Sequence, residues 1–342
     1  MKQVITFGEI MLRLKPPQHN RFFQSPLLEA TFGGGEANVA VSLSLLGDSA
    51  SFVTALPANP IGDAATAELR RHGVDVSRIV TTKEGRVGIY FLETGANQRP
   101  SNVVYDREGS AIAVATPSTF DWKTLLKDAG WLHITGITPA LSQTAADCAL
   151  AAVKQAREMG LTVSIDLNYR KKLWKYGKTA PEVMRQLVKY ADVIVANEED
   201  VQKCLAIDSD VDVTKGELDD SKYEQLARQV KKEFPQLSHI AITLRESISA
   251  DRNGWRAVLL GEDGFYSSPR YAIDDIIDRV GGGDSFSAGL IFGLRHFKEE
   301  KALHFAVASS CLKHSIGGDF NLTTRDEVET LMKGDGSGRV QR

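Results

Sequence analysis

Near its C-terminal third the chain reads Asp278-Arg279-Val280-Gly281-Gly282-Gly283-Asp284-Ser285-Phe286-Ser287-Ala288-Gly289-Leu290. Three glycines precede an acid, and an apolar helical pattern begins there. Consecutive glycines let backbone N–H groups converge on one point, and a helix N-terminus adds partial positive charge. Gly281, Gly282 and Gly283 therefore read as an anion hole suited to a phosphoryl group. Asp284 has two readings. As a helix cap it accepts from the N2 or N3 amides; beside an anion hole its carboxylate takes the proton of an attacking hydroxyl. The small residues Ser285, Ser287, Ala288 and Gly289 keep the first turn thin, which favours the catalytic reading. There is no GxxxxGK[ST] string, so a P-loop is excluded.

A second glycine run, Gly33-Gly34-Gly35-Glu36-Ala37-Asn38, also opens a helical pattern. Its spacing is not the GxGxxG of a dinucleotide fold. It reads either as a tight strand-to-helix turn or as a close approach of backbone to ligand, with Asn38 offering both a donor and an acceptor.

These residues need elements to hold them. Short apolar runs at Val4–Phe7, Ser51–Leu56, Leu161–Leu167, Asp192–Ala196, His239–Leu244 and Trp255–Leu260 predict strands. Amphipathic segments Glu36–Leu46, Gly62–His72 and Gln143–Met159 predict helices, each followed by a capping glycine. Strand–helix–Gly–strand repetition predicts an α/β fold with a largely parallel sheet and helices on its faces. Two regions, about 11–32 and 86–113, break that rhythm. The first carries Pro16, Pro17 and Pro26; the second alternates apolar and polar residues. They predict a small antiparallel sheet laid over the core.

Composition sets the class. Of 342 residues, 42% are hydrophobic and 25% charged, which is globular usage. Lys and Arg total 41 against 44 Asp and Glu. With no basic surplus, nucleic acid is not an expected partner. Cys148, Cys204 and Cys311 are too sparse for zinc or disulfide spacing, which fits a reducing compartment. The start lacks a signal-peptide pattern, and the longest charge-free stretch, 129–146, holds Gly, Pro, Ser, Thr and Gln. No membrane span is expected, and a cytoplasmic location is. The glycine-rich tail, 334–342, is expected to be frayed.

Val280-Gly281-Gly282-Gly283-Asp284-Ser285-Phe286 resembles the C-terminal signature of the ribokinase (PfkB) carbohydrate kinases. Phe32-Gly33-Gly34-Gly35-Glu36-Ala37-Asn38-Val39-Ala40 resembles their N-terminal signature. The resemblance covers essentially the whole chain. It implies a three-layer α/β sandwich over 1–333 with a β-sheet lid, and transfer of phosphate from ATP with Mg²⁺ to a sugar-like hydroxyl. It implies Asp284 as base and Gly281–Gly283 as anion hole. It further implies Gly34 and Asn38 at the sugar, and leaves K⁺ as a further cofactor near the glycine loop.

The chain departs from the family pattern in three places. Gly282 stands where Ala is common. The family's Asn-x-x-Glu reads Asn197-Glu198-Glu199-Asp200; Asn197 would meet ATP and the metal, with Asp200 acting on Mg²⁺ through water. The competing reading is that Asp200 only opens a helix. A late phosphate-contacting stretch reads Thr243-Leu244-Arg245-Glu246, followed by an insert-like 247–254. Arg245 stays a candidate for ATP there, while Glu246 works against it.

Longer strings resemble the subfamily acting on 2-keto-3-deoxygluconate. They are Gly88-Ile89-Tyr90, Val104-Tyr105-Asp106-Arg107-Glu108-Gly109-Ser110-Ala111, Gly136-Ile137-Thr138-Pro139-Ala140-Leu141-Ser142 and Asp166-Leu167-Asn168-Tyr169-Arg170-Lys171-Lys172-Leu173-Trp174. That resemblance places Arg107, Arg170, Tyr90 and Tyr105 at a sugar acid, and a guanidinium binds a carboxylate through two parallel bonds. Asp166 and Asn168 would orient Arg170. Plain surface salt bridges and lid packing are the competing readings. Small residues on a helix over 300–315 leave room for a purine, with Ser310 and His314 beside it; close helix packing would look the same. Alternatives are kinases of 5-dehydro-2-deoxygluconate, tagatose, fructose or a nucleoside, or a non-catalytic sensor. A homo-oligomer, pairing through the lid edge, is expected.

Overall fold

The structure is a computed structural model of the chain, described over residues 1–208 and 220–334. Most of the tail expected to fray lies outside the described residues.

Among the described residues, nine strands form the main sheet. Across it run Ala50–Val53, Gln3–Phe7, Ala129–Thr135, Thr162–Asp166, Val193–Ala196, His239–Ser247, Asn253–Leu260 and Phe265–Ser267, with Tyr271–Ile273 also paired to Asn253–Leu260. The first six are parallel. Helical segments separate them in sequence, so each return crosses a face of the sheet. The insert-like stretch 247–254 forms the hairpin that turns His239–Ser247 into the antiparallel Asn253–Leu260.

Alternation along the strands divides the core. Ile5 and Phe7 pack on one face with the helices Gln143–Glu158, Ala180–Val188 and Glu198–Leu205; Val4 packs on the other with Gly35–Leu45, Gly282–His296 and Glu299–Lys313. This is the expected three-layer sandwich. The helices expected at 36–46, 62–72 and 143–159 form within two residues of those bounds, and Gly47, Gly73 and Gly160 follow them with positive φ.

Two strand expectations are corrected. The run 51–56 is not one strand. It breaks at Thr54, so Ala50–Val53 stays in the main sheet and Ala55–Pro57 pairs with Val80–Thr82. The charge-free stretch from 129 contains a strand that no periodicity announced. Ala129–Thr135 sits mid-sheet and is covered on both faces, so it has no polar side to alternate with. No described helix is long and apolar enough to cross a membrane.

The expected small sheet is present, in the order Glu29–Gly33, Met11–Lys15, Gly88–Glu93, Asn102–Asp106. It is mixed rather than antiparallel: Met11–Leu14 pairs in parallel with Gly88–Phe91. The chain leaves this sheet after Gly33, builds part of the core and re-enters along Gly88–Glu93, parallel to Met11–Lys15 and opposite to Glu29–Gly33. Its inner face packs Met11, Tyr90 and Leu92 with Val280, which leads into the second glycine run.

Candidate active site

A cavity of about 560 Å³ opens at the carboxyl ends of the parallel strands, beneath the small sheet. Ligands gather there in open α/β sheets because loops and helix N-termini converge on that edge.

Gly281 has φ 84 and caps the helix Gly282–His296. The turn leaves the amides of Gly283 and Asp284 without a main-chain acceptor among the described residues. A Cβ on Gly283 would meet nothing within 4 Å. The glycine turn is therefore open to the cavity.

Asp284 lies in the first turn and is buried. Its Oδ2 accepts from Asn38 Nδ2 at 2.7 Å, and Asn38 Oδ1 accepts from the Gly34 amide at 3.1 Å. The two glycine turns are thus joined through one amide and one carboxylate. Asp284 Oδ1 has no hydrogen-bond partner among the described residues. Burial pushes the carboxyl up to about 7; the Asn38 bond opposes this, and the charge of Asp319 adds to it. A group poised there exchanges protons at neutral pH.

The wall opposite is cationic. Arg170, Arg245 and Arg279 line the cavity, and none has a carboxylate within ion-pair distance among the described residues. Burial, Arg279 and Arg170 together pull the Arg245 guanidinium down to about 10. Its guanidinium carbon lies 5.0 Å from the Trp255 ring centroid, and its Nε has no partner among the described residues. Unpaired guanidiniums facing one space call for an anion. Arg170 also acts on three carboxyls, Asp166, Asp200 and Asp284. Burial, reinforced by Asp200 and Asp284, holds Asp166 well above the usual carboxylate range. Asp166 accepts from the Asn168 amide at 3.2 Å and from Ser287 Oγ at 3.2 Å, so it ties the strand end to the Asp284 helix.

Asn197 and Asp200 also line the cavity, but they serve one another. Asn197 Oδ1 accepts from the Asp200 amide at 2.8 Å, and Asp200 Oδ2 accepts from the Asn197 amide at 3.1 Å. Asp200 Oδ1 accepts from the Tyr169 amide at 2.8 Å. The helix-opening reading of Asp200 is thus what the geometry displays. No described cluster of three or more His, Cys, Asp or Glu side chains could hold a metal by itself.

Tyr90 and Tyr105 line the cavity from the small sheet. Tyr90 donates to Asp319 Oδ1 at 2.5 Å. Arg107 does not line it. Its guanidinium is buried on Glu9, with Nε donating at 2.8 Å, and lies 5.4 Å from the Tyr105 ring centroid. Ser310 and His314 are likewise outside the lining. Ser310 Oγ donates to the Gly282 carbonyl at 2.7 Å, and His314 Nδ1 bonds the Ser310 carbonyl at 2.8 Å. They brace the glycine turn from behind. Glu246 is turned away, onto Arg270 at 2.6 Å.

Nothing local in the sequence announces Asp319, Arg279 or the buried Arg13. Arg13 bonds Asp319 at 2.6 Å and Asp278 more closely still, fastening the small sheet to the loop before Gly281. Burial would lower its pKa, but Asp319, Tyr90 and Asp278 outweigh that and raise it.

The pfkB carbohydrate-kinase family pattern matches residues 1–321. A 2-dehydro-3-deoxygalactonokinase from Haloferax volcanii is 34% identical, covering 98% of both chains. A 2-dehydro-3-deoxygluconokinase from Bacillus subtilis is 26% identical, covering 96% of this chain and 94% of its own. The crystal structure of 2-dehydro-3-deoxygluconokinase from Thermotoga maritima is 46% identical, with a TM-score of 0.92 over 98% of this chain and 100% of its own.

Proposed function

The chain belongs to the pfkB family of carbohydrate kinases, and on that premise we propose that it phosphorylates the terminal 6-hydroxyl of 2-keto-3-deoxygluconate with ATP. The observation that carries this reading is Asp284, a carboxyl held at about 7 with one free oxygen, at an open glycine turn that shares a cavity with the unpaired Arg170.

The sugar acid lies between the small sheet and the strand ends. Arg170 holds its carboxylate, and Gly34, Asn38, Tyr90 and Tyr105 meet its hydroxyls. Arg107 would join only by leaving Glu9. The triphosphate lies along Arg245, Asn197 and Arg279, with its γ-phosphoryl at Gly281–Gly283. Asp284 Oδ1 takes the hydroxyl proton as the sugar oxygen bonds to the γ-phosphorus and the bond to the ADP oxygen breaks. Mg²⁺ supplies charge neutralisation on the phosphates when bound. Asp200, with both oxygens on backbone amides, fits a contact through water better than direct ligation. Three free cysteines fit a reducing, cytoplasmic setting. The edge strand Asn102–Asp106, paired on one side only among the described residues, is where two copies would join.

The galacto epimer is the second reading, favoured by the Haloferax relative. ADP release with Mg-ATP tests both, against 2-keto-3-deoxygluconate, its galacto epimer, 5-dehydro-2-deoxygluconate, tagatose, fructose, ribose and adenosine. Turnover confined to the keto-deoxy acids is expected, and their ratio identifies the epimer. Equal turnover of a neutral sugar would overturn the role of Arg170.

A further inference from the structure

Behind the second glycine turn sits a charge the reaction above does not use. Lys313, at the end of the helix Glu299–Lys313, is 0% exposed. A lysine is almost never buried to that degree unless it is paired. Yet no carboxylate lies within ion-pair distance of its Nζ among the described residues. Nζ donates instead to two main-chain carbonyls, Ile316 at 2.9 Å and Asp278 at 3.4 Å.

The nearby aspartates are engaged elsewhere. Asp278 accepts from Arg13, from the Val280 amide at 3.1 Å and from the Gly318 amide at 3.2 Å. Asp319 accepts from Arg13 and Tyr90. Lys313 is left as a dehydrated monovalent cation held by backbone oxygens. That is the coordination chemistry of K⁺, whose water shell carbonyl oxygens can replace.

Its place gives it work. The Asp278 carbonyl belongs to the segment that enters Gly281–Gly283. The Ile316 carbonyl belongs to the turn that leads to Asp319 on the cavity wall. A Cβ placed on Gly281 would lie 3.3 Å from Lys313 Cε and 2.1 Å from the Asp319 carbonyl. The ammonium therefore clamps together the two segments that frame the anion hole. Burial draws its pKa below the ordinary lysine value, and Arg13 acts in the same direction; Asp278, Asp319 and Asp284 oppose them.

A separate K⁺ does not fit behind this loop. Two backbone carbonyls there, those of Asp278 and Ile316, already hold the ammonium, the Lys313 stem fills the space beside Gly281, and a further cation would be repelled by Lys313 and Arg13. We infer that Lys313 is a tethered monovalent cation, a positioning residue that holds the glycine turn in place and makes the protein independent of added K⁺. The activity part of this inference rests on the kinase reading; the cation-binding part does not.

The test compares wild type, Lys313→Ala and Lys313→Met in choline, potassium and ammonium chloride at equal ionic strength. Wild-type kcat should change by less than about twofold among the salts, because its cation is built in. In choline both variants should lose about tenfold or more in kcat, the scale of one misplaced electrostatic group, with sugar KM nearly unchanged. K⁺ or ammonium should restore Lys313→Ala, which leaves a vacancy, and not Lys313→Met, which fills it. Thermal unfolding gives a readout free of turnover. K⁺ should raise the midpoint of Lys313→Ala by about 2–3 °C over choline and leave wild type unmoved. Stimulation of wild type by more than about fivefold with K⁺, or a K⁺-selective rise in its midpoint, would overturn the inference. So would either folded variant running at the wild-type rate in choline. A protein inactive on every sugar leaves the unfolding measurement to decide, and a variant that does not fold leaves the wild-type salt comparison to decide.

Discussion

The two glycine turns look alike in sequence and differ in what their glycines do. Both open helices that pack against one another, and both reach the same cavity. In the first turn the absent side chains make room for protein. A Cβ on Gly33 would come within 2.1 Å of the Asp319 carboxylate, and one on Gly34 within 2.0 Å of the Glu9 carbonyl. In the second turn Gly281 meets the Asp319 carbonyl at 2.1 Å and Gly282 meets the His314 ring at 2.9 Å, but Gly283 meets nothing. The same residue type thus serves close packing at Gly33, Gly34, Gly281 and Gly282 and ligand access at Gly283. Gly35 is intermediate, 3.3 Å from Thr135 and 3.6 Å from Asp284.

The sharpest way to separate the turns is to disable the group between them. Asp284→Asn should lower kcat by about 10³–10⁴-fold, the upper range for loss of a general base, with sugar KM within about threefold. Its effect on stability has the opposite sign. The Asp284 carboxyl has a raised folded pKa, so its stabilising contribution is complete below the unfolded value of about 4 and is lost as pH rises through about 7. Asn has no proton to lose. The unfolding midpoint of Asp284→Asn should therefore exceed that of wild type at pH 8 by more than it does at pH 5. Retained turnover would remove the base role, and a pH-independent difference would remove the buried-carboxylate account.

Alanine in each turn comes next. Gly34→Ala should destabilise by roughly 1–3 kcal/mol, because the new methyl group overlaps backbone that cannot move aside. Gly283→Ala should leave the unfolding midpoint near wild type, since the added carbon enters open space in a helix first turn, while lowering kcat about tenfold by crowding the anion hole. Equal loss of stability in both would erase the distinction drawn here.

The smallest expected effect comes from Asn38, which joins the turns. Its hydrogen bond lowers the Asp284 pKa. Asn38→Ala should move the acidic limb of the kcat/KM profile to higher pH. A limb that stays in place, or moves to lower pH, would show that the bond does not tune the base.

Much of the site was legible because its parts are contiguous in the chain. Gly281–Asp284 needs only a turn and a helix start, and local residue types specify both. The Asn38 side chain and the tyrosines Tyr90 and Tyr105 lie on elements whose order the hydrophobic pattern revealed, and all reach the cavity. What failed to transfer were side chains whose partners come from elsewhere in the fold. Arg107 read as a ligand for a carboxylate and found one in Glu9. Ser310 and His314 read as cavity residues and instead support Gly282 from behind. Asp200 places its oxygens on the amides of Asn197 and Tyr169, and no local spacing announces the second pairing. The strand Ala129–Thr135 escaped because full burial removes the polar face that alternation depends on.

By itself the sequence determined the α/β layering, the two glycine turns and the acid that follows the second. Those depend on residue type over a few positions and on hydrophobic periodicity. The tertiary structure decided which charges remain unpaired. Among the described residues Arg170, Arg245 and Arg279 face the cavity without counter-ions, while Arg13 and Arg107 are buried against carboxylates from distant segments and Lys313 against the carbonyls of Asp278 and Ile316. Charge pairing is settled by distances of a few ångströms between segments far apart in the chain, and only the folded arrangement sets those distances.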